Sequence, residues 1–184
     1  MKFIETTLPG AFELEPSPFV DERGSFARVF CGRLFRDHGL CDQFVQANHT
    51  RTEKIGTIRG LHYQLPPAQE IKLFRCVKGQ VFDVIVDMRN ESSTFLNWHG
   101  VVLSEQNQKS IYVPAGFAHG FQALTPGCEV TYQSSAEYSP ECERQVRFDD
   151  PRVGIKWKPL EPTLSPKDAS TPWLSESFAG VAIA

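Results

Sequence analysis

The sequence has almost no excess of charge of either sign: 19 Lys and Arg stand against 22 Asp and Glu, a net −3 over 184 residues. That balance gives no electrostatic case for a nucleic-acid binder. No apolar run approaches the ~18 residues a membrane helix needs. The opening Met1-Lys2-Phe3-Ile4-Glu5 has no apolar core of the kind a signal peptide carries. The five cysteines, Cys31, Cys41, Cys76, Cys128 and Cys142, are odd in number, widely spaced and include no Cys-x-x-Cys pair. This argues against a disulfide framework or a cysteine-rich zinc site, and for reduced thiols in the cytoplasm. Internal repeats, low-complexity tracts and dividing linkers are absent too, which leaves a single domain over 1–184.

What is present is a hydrophobic fraction of 41%, with 14 Phe, 13 Gly and 13 Pro. That composition suits many short strands joined by tight turns. The strongest strand signals are Ile71–Val77 and Val81–Met88, separated by Lys78-Gly79. In the second run Phe82, Val84, Val86 and Met88 share one face, and Val81, Asp83, Ile85 and Asp87 the other, the pattern of a half-buried strand. The two aspartates there either meet solvent or line a cavity. Further strands are expected at Phe44–Asn48, Gly100–Leu103, Ser110–Val113, Val130–Ser134 and Gln145–Phe148, and a short helix at Arg33–His38 ended by Gly39. Strand-like pieces between Phe3 and Phe30 are open to pairing with this sheet or a neighbour's. The spacing predicts an antiparallel sandwich or barrel with its core over about 1–175, and 176–184 as a flexible tail.

Two segments stand out. One is Gly56-Thr-Ile-Arg-Gly-Leu-His-Tyr-Gln-Leu-Pro-Pro67, followed by Lys72; the other is Val113-Pro-Ala-Gly-Phe-Ala-His-Gly-Phe121. Each sets a histidine beyond a glycine among apolar residues, as ligand sites in small barrels do. A metal is the first idea. However, the residue two after His62 is Gln64, and Gln69-Glu70 does not complete a set, so three firm ligands cannot be assembled.

Residues 56–64, Lys72, Val81-Phe-Asp-Val84 to Asp87-Met-Arg89, and 114–121 together resemble the nucleotide-sugar 3,5-epimerase family acting on dTDP-4-dehydro-6-deoxyglucose. Asp21-Glu-Arg-Gly-Ser-Phe26, Tyr132, Tyr138-Ser-Pro140, Asp150-Pro151 and Leu164-Ser-Pro-Lys-Asp168 match in order and spacing, so the likeness covers residues 1–175. It implies an all-β cupin-type jelly-roll barrel with short C-terminal helical segments, no metal and no cofactor. It also implies a homodimer whose N-terminal strands are exchanged between partners.

Inverting a carbon beside a ketone requires a base, a group to hold the enolate oxygen, and an acid on the opposite face. His62 fits the base, since neutral imidazole titrates near neutrality. The resemblance gives its supporting carboxylate to Asp168, with Asp83 as second candidate. Lys72 is the cation for the enolate and Tyr132 the acid. Taken singly each has a plainer reading: His62 as a structural hydrogen-bonder, Asp168 as a turn cap, Tyr132 as core packing. Only their joint occurrence lifts them. For binding, Arg59 suits a diphosphate with help from Lys167. The resemblance puts Gln46 and Asn48 at polar sugar and phosphate positions, His119 at the pocket wall and Tyr138 on the base. It brings Arg23 and Phe26 in from the partner chain.

The sequence departs from the family pattern at Arg28, where a glutamate is usual, and at Ala47, where aspartate is common; Thr50 and Thr52 replace serines. A carboxylate accepts from the thymine N3–H, whereas Arg only donates. Base preference is therefore open toward a CDP-sugar. The leading expectation is C3 and C5 inversion toward dTDP-L-rhamnose. Its rivals are a mono-epimerase on a dTDP- or CDP-linked 4-keto sugar, a metal-dependent cupin oxygenase, and a non-catalytic sugar-binding cupin.

Overall fold

β-branched and aromatic residues make strand the main regular structure of this chain. The computed structural model describes residues 1–183. A six-stranded antiparallel sheet contains, in spatial order, β1 (Lys2–Glu5), β2 (Phe12–Glu15), β10 (Ser110–Val113), β7 (Lys72–Lys78), β12 (Cys128–Ser134) and β5 (Gln46–Thr52). A five-stranded sheet faces it, in the order β13 (Glu143–Gln145), β6 (Ile58–Gln64), β11 (Phe117–Ala123), β8 (Gln80–Asp87) and β9 (Trp98–Ser104). A separate hairpin pairs β3 (Phe19–Asp21) with β4 (Gly24–Phe26). The two helices are short: α1 (Gly32–Asp37), after which Gly39 takes φ +69°, and α2 (Pro166–Ala169). The chain is thus all-β with the cupin-like architecture expected of it.

Inward side chains of both sheets form the central core, among them Phe74, Cys76, Ile85, Leu103, Ile111, Phe121 and Val130. Two satellite clusters cover the outer faces. Leu73 and Tyr112 of the six-stranded sheet pack under Phe35 of α1 with Phe30 and Phe44. On the other sheet Leu61, Tyr63, Phe82, Val84 and Val86 lie under Val146, Val153, Trp157, Leu174, Phe178 and Val181.

That second cover corrects two expectations. β8 is buried on both faces rather than half-buried: Phe82, Val84 and Val86 face the C-terminal segment, and Asp83 and Asp87 have no solvent exposure. Asp87 accepts from Arg89, Ser92 and Thr94, so its charge is fully satisfied. The segment expected as a free tail is docked over residues 176–183, Ala184 lying outside the described residues. Val181 N–H donates to Met88 O at 2.8 Å, Asn90 N–H donates to Val181 O at 2.9 Å, and Val181 is buried. Strand boundaries also move: β5 continues past Asn48 to Thr52, and the last strand is Glu143–Gln145 rather than Gln145–Phe148. The histidines of both motifs lie within strands, His62 in β6 and His119 in β11. His99 is mostly buried, and its Nε2 lies 3.0 Å from Glu13 Oε1.

Candidate active site

The site begins where the antiparallel neighbours β6 and β11 run with almost no space between their backbones. A Cβ on Gly60, whose φ is +113°, would sit 2.7 Å from the Gly120 Cα, and one on Gly120 would sit 2.6 Å from the Arg59 carbonyl oxygen. Only glycine fits at either position. The β6–β11 register shifts between His119 and Phe121, and directly before that irregularity His119 pairs with His62 across the ladder. Cross-strand partners project to the same face, so the two imidazoles stand side by side inside the barrel.

Each imidazole is backed by a buried carboxylate. His62 Nε2 lies 2.7 Å from Asp168 Oδ1. Asp168 is held by Ser165, which caps α2: the Asp168 N–H donates to Ser165 Oγ at 3.0 Å, and Ser165 Oγ donates to Asp168 Oδ2 at 2.9 Å. Burial alone would raise the Asp168 pKa. Hydrogen bonds from His62 and Ser165 outweigh it and hold the carboxyl below its ordinary range. An ionised carboxylate only accepts, so Nε2 carries the proton and Nδ1 is left with the lone pair in neutral His62. His119 repeats the arrangement on Asp83, Nε2 to Oδ2 at 2.7 Å. The carboxylate behind His62 is therefore Asp168, and Asp83 serves His119.

His62, Lys72, His119, Tyr132, Arg59 and Phe74 line one cavity of about 180 Å³. Lys72 Nζ meets Glu70 Oε1 at 2.8 Å. Tyr132 stacks on Phe74 with ring centroids 6.0 Å apart, and burial raises its phenol pKa, the charge of Glu70 adding to the effect. An adjoining cavity of about 280 Å³ shares His62, Lys72 and Tyr132 and adds Gln46, Asn48, Tyr138 and Glu143. A third, about 320 Å³, holds Arg59, Lys167 and Asp168 beside His62. A roomier cavity of about 440 Å³ lies on the outer face of the six-stranded sheet, but no His–carboxylate pair lines it. Chemistry rather than volume locates the site.

The binding residues expected from the sequence divide into two groups. Arg59 donates to Thr52 Oγ1 at 3.0 Å and to Arg51 O at 3.3 Å, with no carboxylate partner among the described residues. Its positive charge is uncompensated at the cleft. Gln46 Nε2 donates to Asn48 Oδ1 at 3.2 Å, and Gln46 Oε1 accepts the Tyr138 N–H at 3.2 Å, tying the exposed Tyr138 ring to the cleft's rim. Arg23, Phe26 and Arg28 stand apart: Arg23 pairs with Asp21 of its own hairpin, and the Phe26 ring and Arg28 are exposed. The sequence did not single out Glu143, which accepts from Lys167 and from the Tyr138 hydroxyl, or the Glu70 partner of Lys72. Nothing local marks an acid as the counter-charge of a distant cation. Among the described residues no three His, Cys, Asp or Glu side chains group as metal ligands.

A family model described as dTDP-4-dehydrorhamnose 3,5-epimerase matches residues 5–176. The dTDP-4-dehydrorhamnose 3,5-epimerase of Methanothermobacter thermautotrophicus is 44% identical over 160 residues, 87% of this chain and 85% of that protein. The crystal structure of the dTDP-4-dehydrorhamnose 3,5-epimerase of Elizabethkingia anophelis superposes with a TM-score of 0.92 at 38% identity, covering 97% of this chain and 98% of that one. The dTDP-6-deoxy-D-glucose-3,5-epimerase of Legionella pneumophila, solved with dTDP-4-keto-L-rhamnose, superposes with a TM-score of 0.90 at 36% identity, over 100% and 99%.

Proposed function

The chain belongs to the dTDP-4-dehydrorhamnose 3,5-epimerase family, and on that premise we propose that it inverts C3 and C5 of dTDP-4-dehydro-6-deoxy-D-glucose, a step toward dTDP-L-rhamnose. The carrying observation is the His62–Asp168 pair at 2.7 Å, set in the cavity that Lys72 and Tyr132 also line. His62 Nδ1 removes the proton on the carbon beside the C4 ketone. Asp168 keeps the productive tautomer and stabilises the imidazolium that forms. Lys72 offsets the charge growing on the enolate oxygen. Tyr132, whose raised pKa keeps the phenol protonated, returns a proton from the opposite face. The sequence calls for no metal or cofactor in these steps.

Arg59, without a carboxylate partner, is the diphosphate ligand, and Lys167 joins it once released from Glu143. His119 meets the sugar, Gln46 and Asn48 supply polar contacts, and Tyr138 stacks on the base. The hairpin that exposes Phe19, Val20 and Phe26 crosses to a second copy in a cytoplasmic homodimer and delivers Arg23, Phe26 and Arg28 to the partner's cleft. Competition binding of dTDP against CDP then reports the effect of Arg28, a clear dTDP preference ruling out the cytosine reading.

Solvent-deuterium exchange on the 4-keto sugar tests the reaction. Label is expected at both C3 and C5. His62→Ala is expected to abolish exchange while dTDP affinity is retained. Label at one carbon identifies a mono-epimerase, label at neither removes the epimerase reading, and unchanged exchange in His62→Ala removes the base assignment.

A further inference from the structure

Glu70 precedes β7 by two residues and is buried on the cleft floor with only 13% of its side chain exposed; that of Lys72 is 11% exposed. Both Glu70 oxygens are engaged. Oε1 meets Lys72 Nζ at 2.8 Å, and Oε2 accepts from Ser134 Oγ at 3.0 Å. Ser134 belongs to β12 and pairs with Lys72 in the β7–β12 ladder, two residues beyond Tyr132 on the same strand. Residues two apart on a strand share a face. Glu70, Lys72, Ser134 and Tyr132 therefore line one cavity wall. A lysine ammonium is a point charge on four rotatable bonds, so its place in a cleft must be set by whatever it is bonded to.

Resting on the epimerase reading, we propose that Glu70 is a positioning residue: anchored by Ser134, it fixes the Lys72 ammonium on the wall it shares with Tyr132. The pair brings no net charge to the cleft floor, so the ammonium is aimed at the substrate oxygen without an uncompensated cation beside the phenol. The charged and titratable groups that share a cavity with Tyr132 are Arg59, His62 and Tyr63 from β6, Lys72 and Glu70, His119 from β11, Tyr138, Glu143 from β13, and His49 and Arg75 toward the outer face of the sheet. Among these, the Glu70 charge acts with burial to hold the phenol proton. Removing that charge and keeping the Lys72 cation both favour phenolate, so the sign of the change is fixed.

The test compares Glu70→Gln with wild type in two measurements. In the first, the Tyr132 phenol is titrated by ¹³C NMR without substrate, Tyr132→Phe assigning the resonance. The midpoint is expected to fall in Glu70→Gln, and an unchanged or raised midpoint overturns the proposal. In the second, kcat is expected to fall roughly 10–100-fold from misplacement of the cation, with KM within about twofold and the alkaline limb of the rate profile moved to lower pH. Unchanged kcat, or a loss of melting temperature with the limb unmoved, also overturns it. The titration needs no turnover, so a protein that exchanges no substrate proton fails the epimerase reading alone, and the phenol midpoint still decides the role of Glu70.

Discussion

Among single residues, the position of Asp168 is what turns a barrel histidine into a base. Its carboxylate is 106 residues away from His62 in sequence and is held at both oxygens, by His62 and by Ser165. Asp168→Asn retains the shape but offers an amide that can donate to Nε2, which favours the wrong tautomer. The expected result is a fall in kcat on the order of 10⁴-fold with little change in dTDP affinity, by the measure of the same change behind a triad histidine. Steady-state kinetics beside a binding titration check it. This residue was legible in the sequence only through its Leu-Ser-Pro-Lys-Asp context, because no spacing rule joins position 168 to position 62. Glu70 and Glu143 were not legible as site residues: a buried counter-charge differs from a solvated one only in what folds over it.

Among elements, the close pairing of β6 and β11 governs the site. Gly60 and Gly120 let the strands approach so closely that His62 and His119 fall opposite each other. Gly120→Ala would set a methyl 2.6 Å from a backbone oxygen, which cannot yield as a side-chain tip would. Strain of this kind costs about 1–3 kcal/mol. A lower midpoint in urea is expected, together with slower exchange at C3 and C5 because the imidazoles separate. The Ser110–Val113 strand lies at its expected bounds, whereas β6 and β11 were not legible as strands, because their glycines read as turns. The outer face of β8 was misread because alternation records only that two faces differ, not that a later segment covers the second. The aspartates of its other face were readable as cavity-lining or solvated, and the structure places both inside.

For the molecule as a whole, the C-terminal segment is a third layer over the five-stranded sheet. Arg152 donates to Phe178 O at 3.0 Å, Phe178 packs near Phe95, and Val181 is bonded on both sides of Met88–Asn90. Removing residues 176–184 exposes Val84, Val86 and Met88 beneath and discards the buried Val181 side chain, worth roughly 1.5–3 kcal/mol by itself. Thermal unfolding of the shortened chain is expected at clearly lower temperature; an unchanged midpoint would mean that the docking carries no stability. Composition marked these residues as small and apolar, equally suited to fraying or to burial, and only their partner surface on β8 decides between the two.

The distance along the chain between His62 and Asp168 also has a meaning in time. The barrel strands through β12 leave the ribosome before α2 does, and synthesis proceeds at about 5–20 residues per second. The imidazole is therefore made roughly 5–20 s before the carboxylate that orients it. By the end of that interval the nascent chain carries the strands that shape the cleft, β5 to β13, but not yet the group that arms its base. Catalytic competence is one of the last properties this polypeptide acquires, arriving with the same C-terminal residues that close the outer layer.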